Sequence, residues 1–170
     1  MVYSKNAYLD LTYSISISIS SQSLTVYQGS RMVKQYVIST ALKGIGSQKN
    51  SNKTPLGQHL IRAKIGAGLP INTVFIGRRP TGEMFNAQLD SQFPERDWIL
   101  SRILWLSGTE LGKNRLGNVD TMQRYIYIHG TPDSEPMGRP LSHGCVRMRN
   151  CELIELFDLV PVYTPVDITE

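Results

Sequence analysis

The chain has 170 residues, a length that suits a single domain able to bury a sizeable core. Its formal net charge is +4, but the basic residues are scattered along the chain, and without a basic stripe it is not expected to bind nucleic acid. No stretch approaches the roughly 20 apolar residues of a membrane span, so stable membrane insertion is not expected either.

Near the start, Asp10 and the alternation Ser14-Ile15-Ser16-Ile17-Ser18-Ile19-Ser20 differ from the unbroken apolar run of a secretory signal and predict a half-buried strand. The chain carries two cysteines, Cys145 and Cys151, which do not amount to a disulfide framework. These features, with Met1 leading directly into strand-like sequence, predict a cytoplasmic protein; the periplasm is the alternative if a leader is missing. Alternating or β-branched runs at 11–19, 24–27, 33–39, 59–65, 72–77 and 124–129 predict short strands separated by Gly, Ser, Asn and Pro turns, hence a mainly β protein. The polar segment from Ala41 to Asn52 reads equally as a mobile loop beside a site or a solvated hairpin tip. Trp98 to Leu106 is almost continuously apolar and fits a buried helix or a strand. One helix is clear: Asn150 as N-cap, Glu152 at the positive end, and Leu153, Leu156, Phe157 and Val160 on one face before Pro161. Cys151, in its first turn, is expected to be a small buried side chain. No internal repeat or inter-domain linker is visible, so residues 1–170 read as one domain.

The chemistry concentrates in His129-Gly130-Thr131-Pro132 and Ser142-His143-Gly144-Cys145-Val146-Arg147-Met148. A free thiol is only a few per cent thiolate at neutral pH, so a nucleophilic cysteine needs an imidazole or an electropositive pocket nearby. On that basis labelling of Cys145 well below the pKa of a free thiol would favour an enzyme, and labelling only at alkaline pH would favour a binder. Gly144 permits a sharp turn that gathers amide N–H groups where a tetrahedral oxyanion would form. The alternatives are a buried structural cysteine and a zinc site of His129, His143 and Cys145, but the spacing lacks the close ligand pairs and fourth member of known zinc sites. No cofactor or metal is expected. His59 is expected to be outward-facing or internally satisfied, without a functional role.

These two motifs resemble the L,D-transpeptidase catalytic domain, or YkuD, family, whose signature is a His-Gly followed by Ser/Thr-His-Gly-Cys, an apolar residue and Arg or Asn. Ser23 to Gly29 resembles the family's opening hairpin, Lys53-Thr54-Pro55-Leu56-Gly57 its Thr-Pro-x-Gly segment, and Arg124 to Ile128 the strand that delivers the histidine. Two positions depart from the pattern: Tyr163-Thr164-Pro165-Val166 replaces Gly-Thr-x-Val, and Cys151 replaces an acidic residue. The resemblance implies a β-sandwich of mixed sheets with one core-packing helix after the cysteine motif. It also implies Cys145 as nucleophile, His129 as general base with its tautomer set by the Gly130 carbonyl, and Gly144 and Cys145 amides for the oxyanion. His143 would line that pocket, as a second base or as a brace for the loop. Arg147, Ser142, Gly130 and Tyr127 are the substrate-binding candidates, with Arg139 and Arg149 as weaker ones. The implied substrates are peptidoglycan-derived peptides (muropeptides), cut between diaminopimelate and D-alanine. Signal-less relatives suggest an L,D-carboxypeptidase in peptidoglycan recycling; cross-linking transpeptidation and a non-catalytic binder of wall fragments are the alternatives. The sequence selects no protein partner.

Overall fold

The Ser/Ile alternation does form a strand. In the computed structural model, which describes residues 12–170, β1 (Tyr13–Ser18) buries Ile15 and Ile17 and leaves the intervening serines partly covered. Residue 11 of the predicted run lies outside the described residues. β1 pairs with β2 (Ser23–Gln28), and β2 with β3 (Arg31–Val37). On the other edge of β1 lies β10 (Pro165–Thr169), running parallel with Ile15 opposite Val166 and Ile17 opposite Ile168. The sheet continues from β10 through β4 (Gly57–Ile65) to β7 (Ile99–Gly108).

β7 is where the architecture branches. Its later half pairs with β4 and its beginning with β5 (Thr73–Ile76), while β8 (Tyr127–Gly130) occupies the opposite edge. The register with β8 breaks between Leu100 and Ile103, where Ser101 takes a left-handed φ of 68°. That bulge bends the strand between layers. β9 (Val146–Met148) then pairs parallel with β8, and β6 (Arg79–Met84) closes a hairpin with β5. The fold is therefore mostly β with mixed sheets, the layers being continuous through β7. Helix α2 (Asn150–Leu159) packs Leu153, Leu156 and Phe157 against Leu104, Leu106, Ile128, Val146 and Met148, each such side chain contributing about 2 kcal/mol by burial. A short helix, α1 (Ala87–Gln92), buries none of its residues. No helix among the described residues is long and apolar enough to cross a membrane.

Several local expectations are revised. Of the two readings of Trp98 to Leu106, the strand is the one formed, over Ile99–Gly108, because β7 finds pairing partners on both edges. The strand expected over 124–129 starts only at Tyr127, since Tyr125 has a φ of 57°. The N-cap of α2 is Arg149, not Asn150, whose amide is used inside the protein. Cys151 is exposed, because the helical period turns Asn150, Leu153 and Phe157 inward instead. The segment 41–52 lies beside the cysteine motif: Ala41 bridges to Ser142, and the Leu42 N–H donates to the Ser142 carbonyl at 3.0 Å.

His59 on β4 is buried and satisfied. Its Nδ1–H donates to the Gly57 carbonyl at 2.8 Å, and Nε2 accepts from the Thr121 hydroxyl at 3.1 Å. Burial pulls its pKa down to about 4. Between about pH 6.5 and that value the unfolded chain binds a proton that the folded chain refuses, so stability falls with pH across this window, by about 3 kcal/mol at its acid end. Chemical denaturation at pH 7 and pH 4.5 is expected to show a smaller acid loss for His59→Gln than for the unsubstituted protein; equal losses would contradict a neutral buried His59.

Candidate active site

The cysteine motif forms a tight turn immediately before β9. Ser142 Oγ donates to the Cys145 carbonyl at 2.6 Å and accepts the Gly144 N–H at 3.2 Å, while Thr54 Oγ1 donates to the Gly144 carbonyl at 3.0 Å. Gly144 has a φ of +132°, a conformation that selects glycine, and a Cβ there would also lie 3.2 Å from Ile126 Cδ1. The thiol of Cys145 is partly exposed. Its Sγ accepts the Tyr127 N–H at 3.3 Å and donates to the Tyr125 carbonyl at 3.4 Å.

His129 stands on β8, paired in register with Arg147 on β9, which places it beside the cysteine turn. It is buried, and Nδ1–H donates to the Gly130 carbonyl at 2.8 Å. A carbonyl can only accept, so Nδ1 carries the proton and Nε2 keeps its lone pair. His129 and Cys145 line the same cleft, of about 490 Å³.

Asp97, which the sequence did not single out, organises the charges at the rim. Its side chain is 42% exposed, and its carboxylate accepts from Arg147 at 2.6 Å and from His143 Nδ1 at 3.1 Å. Burial works against its ionisation, but His129 whenever its ring is protonated, the Arg147 charge and the His143 hydrogen bond hold its carboxyl below the usual range. His143 therefore braces the loop through its ring while its side chain remains 65% exposed. Burial pushes the Cys145 thiol up to about 12 and His129 below the ordinary histidine value, the Asp97 charge opposing the shift on His129. Burial thus favours a neutral thiol beside a neutral imidazole, outweighing the favourable charges of Arg147 and Arg124, so labelling only at alkaline pH no longer marks a binder: the thiol proton can move to His129 during attack itself.

The substrate-binding candidates separate. Tyr127 and Arg147 line the cleft, with Arg147 already held by Asp97. Ser142 reaches the cleft wall, but its hydroxyl is spent on the turn. Gly130 is corrected from substrate contact to support: it is buried behind His129, where a Cβ would lie 2.2 Å from Asn150 Oδ1. Arg149 donates to the Asp133 carbonyl and Arg139 offers its own carbonyl to Ser39, both away from the cleft. Two cleft arginines were missed, Arg78 in the β5–β6 turn and Arg124, whose guanidinium donates to the Gly46 and Lys53 carbonyls and Ser51 Oγ. A Gly77-Arg78 pair between two short runs was a readable turn signal.

The neutral pair has a measurable consequence. In a Cys151→Ser background, the rate of Cys145 alkylation by iodoacetamide is expected to keep rising past pH 9, instead of levelling near the free-thiol value of about 8.5. A plateau below pH 8 would show a thiolate at rest.

A model of the L,D-transpeptidase catalytic domain family, YkuD, matches residues 12–168. The YkuD protein of Bacillus licheniformis is 28% identical over 160 residues, covering 94% of this chain and 67% of its own length. That of Bacillus subtilis is 29% identical over 158 residues, covering 93% and 66%. Among solved structures, L,D-transpeptidase 3 of Mycobacterium tuberculosis bearing a faropenem-derived adduct superposes with a TM-score of 0.57 at 16% identity, over 94% of this chain and 60% of that one. The chain thus spans about two thirds or less of the length of these proteins. With the family match running from β1 to β10 and through both motifs of the cleft, the chain belongs to the L,D-transpeptidase catalytic domain (YkuD) family.

Proposed function

We propose that this chain is a cysteine acyl-transfer enzyme that cuts the diaminopimelate–D-alanine bond of peptidoglycan stem tetrapeptides, with water as final acceptor: an L,D-carboxypeptidase. The observation that carries the acyl-transfer reading is the shared cleft of Cys145 and His129, with Gly130 holding the imidazole in the tautomer whose Nε2 can take a proton. Sγ attacks the amide carbonyl carbon while the thiol proton, once it leaves the Tyr125 carbonyl, passes to Nε2 of His129. The Cys145 N–H, and the Gly144 N–H once it leaves Ser142 Oγ, supply the oxyanion donors, each worth roughly 3 kcal/mol. The imidazolium returns the proton to the leaving D-alanine amine, and a thioester to the tripeptide remains. His129 next takes a proton from water, which attacks the thioester carbonyl; the C–S bond breaks, the tripeptide leaves as a carboxylic acid, and the imidazolium returns its proton to Sγ, restoring the neutral pair. Asp97, whose charge favours protonated His129, stabilises the imidazolium at both steps.

Hydrolysis is favoured because water needs no binding site of its own. A reactive thiol that must stay reduced also fits the cytoplasm and a recycling role better than an oxidising compartment. One observation favours transpeptidation as the second reading. The cleft continues past His143 into two further depressions, one beside Asn50 and Gln123 and one beside Glu95 and Pro132, which leave room for an acceptor peptide. A non-catalytic wall-fragment binder is the third.

Mass spectrometry of products from a diaminopimelate tetrapeptide separates the three. Tripeptide and free D-alanine are expected, unchanged by excess acceptor stem, and Cys145→Ala is expected to lower the rate at least 1,000-fold, a rough figure for losing a covalent nucleophile. A cross-linked dimer would make the chain a transpeptidase, and no turnover with retained binding would make it a binder.

A further inference from the structure

Three guanidinium groups line the cleft: Arg78, Arg124 and Arg147. Arg124 is spent on the Gly46 and Lys53 carbonyls and on Ser51 Oγ, and Arg147 is paired with Asp97 through Nη2, its Nε being buried without a partner among the described residues. Arg78 is different. Its Nη1 donates to the Tyr127 hydroxyl at 2.9 Å, and its guanidinium carbon lies 4.5 Å from the ring centre of Trp105 and 4.8 Å from that of Tyr125. Among the described residues no carboxylate pairs with it. The aromatic contacts fix the plane of the guanidinium and leave donors for a planar anion.

The backbone points the same way. Gly77 and Arg78 form the two-residue turn between Ile76 and Arg79, with φ values of 54° and 66°. Glycine or asparagine is the usual choice for such a conformation, and a bulky side chain is an outlier there. From this turn the Arg78 side chain is carried over Trp105 to the cleft wall.

We propose that Arg78 is the specificity residue that binds a carboxylate of the donor peptide, either the terminal D-alanine carboxylate or the side-chain carboxylate of diaminopimelate. This role falls to Arg78 in place of Arg147, and it rests on the peptide-cleaving reading of the same cleft. Tyr127 then acts as a positioning residue, holding the guanidinium through its hydroxyl.

The test uses three peptides: the tetrapeptide, its C-terminal amide, and a version with lysine in place of diaminopimelate. Turnover is measured with the unsubstituted protein, Arg78→Met and Arg78→Lys. Arg78→Met is expected to raise KM for the tetrapeptide roughly 10- to 100-fold with little change in kcat, and to erase the preference over one of the two altered peptides. The peptide whose disadvantage disappears identifies the carboxylate bound. Arg78→Lys is expected to restore part of the preference, which a fold defect would not allow. Unchanged selectivity in Arg78→Met would overturn the assignment while leaving the acyl-transfer reading intact. Calorimetric binding of the same peptides in a Cys145→Ala background separates the reverse case. Binding that depends on Arg78 without turnover in the unsubstituted protein upholds the carboxylate site and rejects the enzyme, and binding indifferent to Arg78 rejects the site.

Discussion

The carboxamide of Asn150 joins the three elements on which the cleft depends. Its Oδ1 accepts from Ser101 at the β7 bulge at 2.7 Å, its Nδ2 donates to the Thr131 carbonyl just after β8 at 2.8 Å, and its backbone begins α2. Each of these groups is buried, so removing one partner would leave an unsatisfied polar group costing about 1–3 kcal/mol. Gly130 lies directly against this amide, with room for no side chain, and its carbonyl fixes the His129 tautomer. A packing constraint far from solvent therefore sets which nitrogen faces the cleft. The bulge, the helix start and the orientation of the base are one structural unit.

Around that unit the electrostatics favour readiness over stored charge. Placing a thiolate and an imidazolium in so enclosed a corner would cost both groups their hydration, and burial accordingly keeps Cys145 and His129 neutral. Asp97 adds the asymmetry. Its charge opposes a thiolate yet supports a protonated imidazole, so it assists once the proton has moved and the sulfur has become covalently bound. By engaging Arg147 and His143 together, it also leaves the remaining cationic recognition to the hairpin on the other side of the cleft.

Much of the fold was legible because alternation with a period of two survives in β1 and β4, where one face is buried. The strands that escaped notice are masked in different ways, β10 by its shortness although Val166 and Ile168 alternate inward. β6 is almost wholly exposed, polar and contains Pro80 on the edge of the sheet, β9 is only three residues long, and β10 begins at a proline. The Cys145–His129 neighbourhood was legible from its motifs, and the Gly130–His129 hydrogen bond followed from the family resemblance. Asp97 and Arg78 were not, since a lone aspartate before an apolar run and an arginine in a hairpin turn look like ordinary surface charges until the chain folds them to one opening. The role of Asn150 was misread for a related reason: a side chain suited to capping a helix was recruited by Ser101 and Thr131, distant in sequence.

Rapid-quench intact-mass spectrometry during the first turnover of a diaminopimelate tetrapeptide tests the covalent role of Cys145 most directly. The expected result is a tripeptidyl adduct that maps to Cys145, forms together with free D-alanine and then decays to tripeptide. Release of D-alanine at the same rate with no adduct on Cys145 at any time would contradict a thioester intermediate.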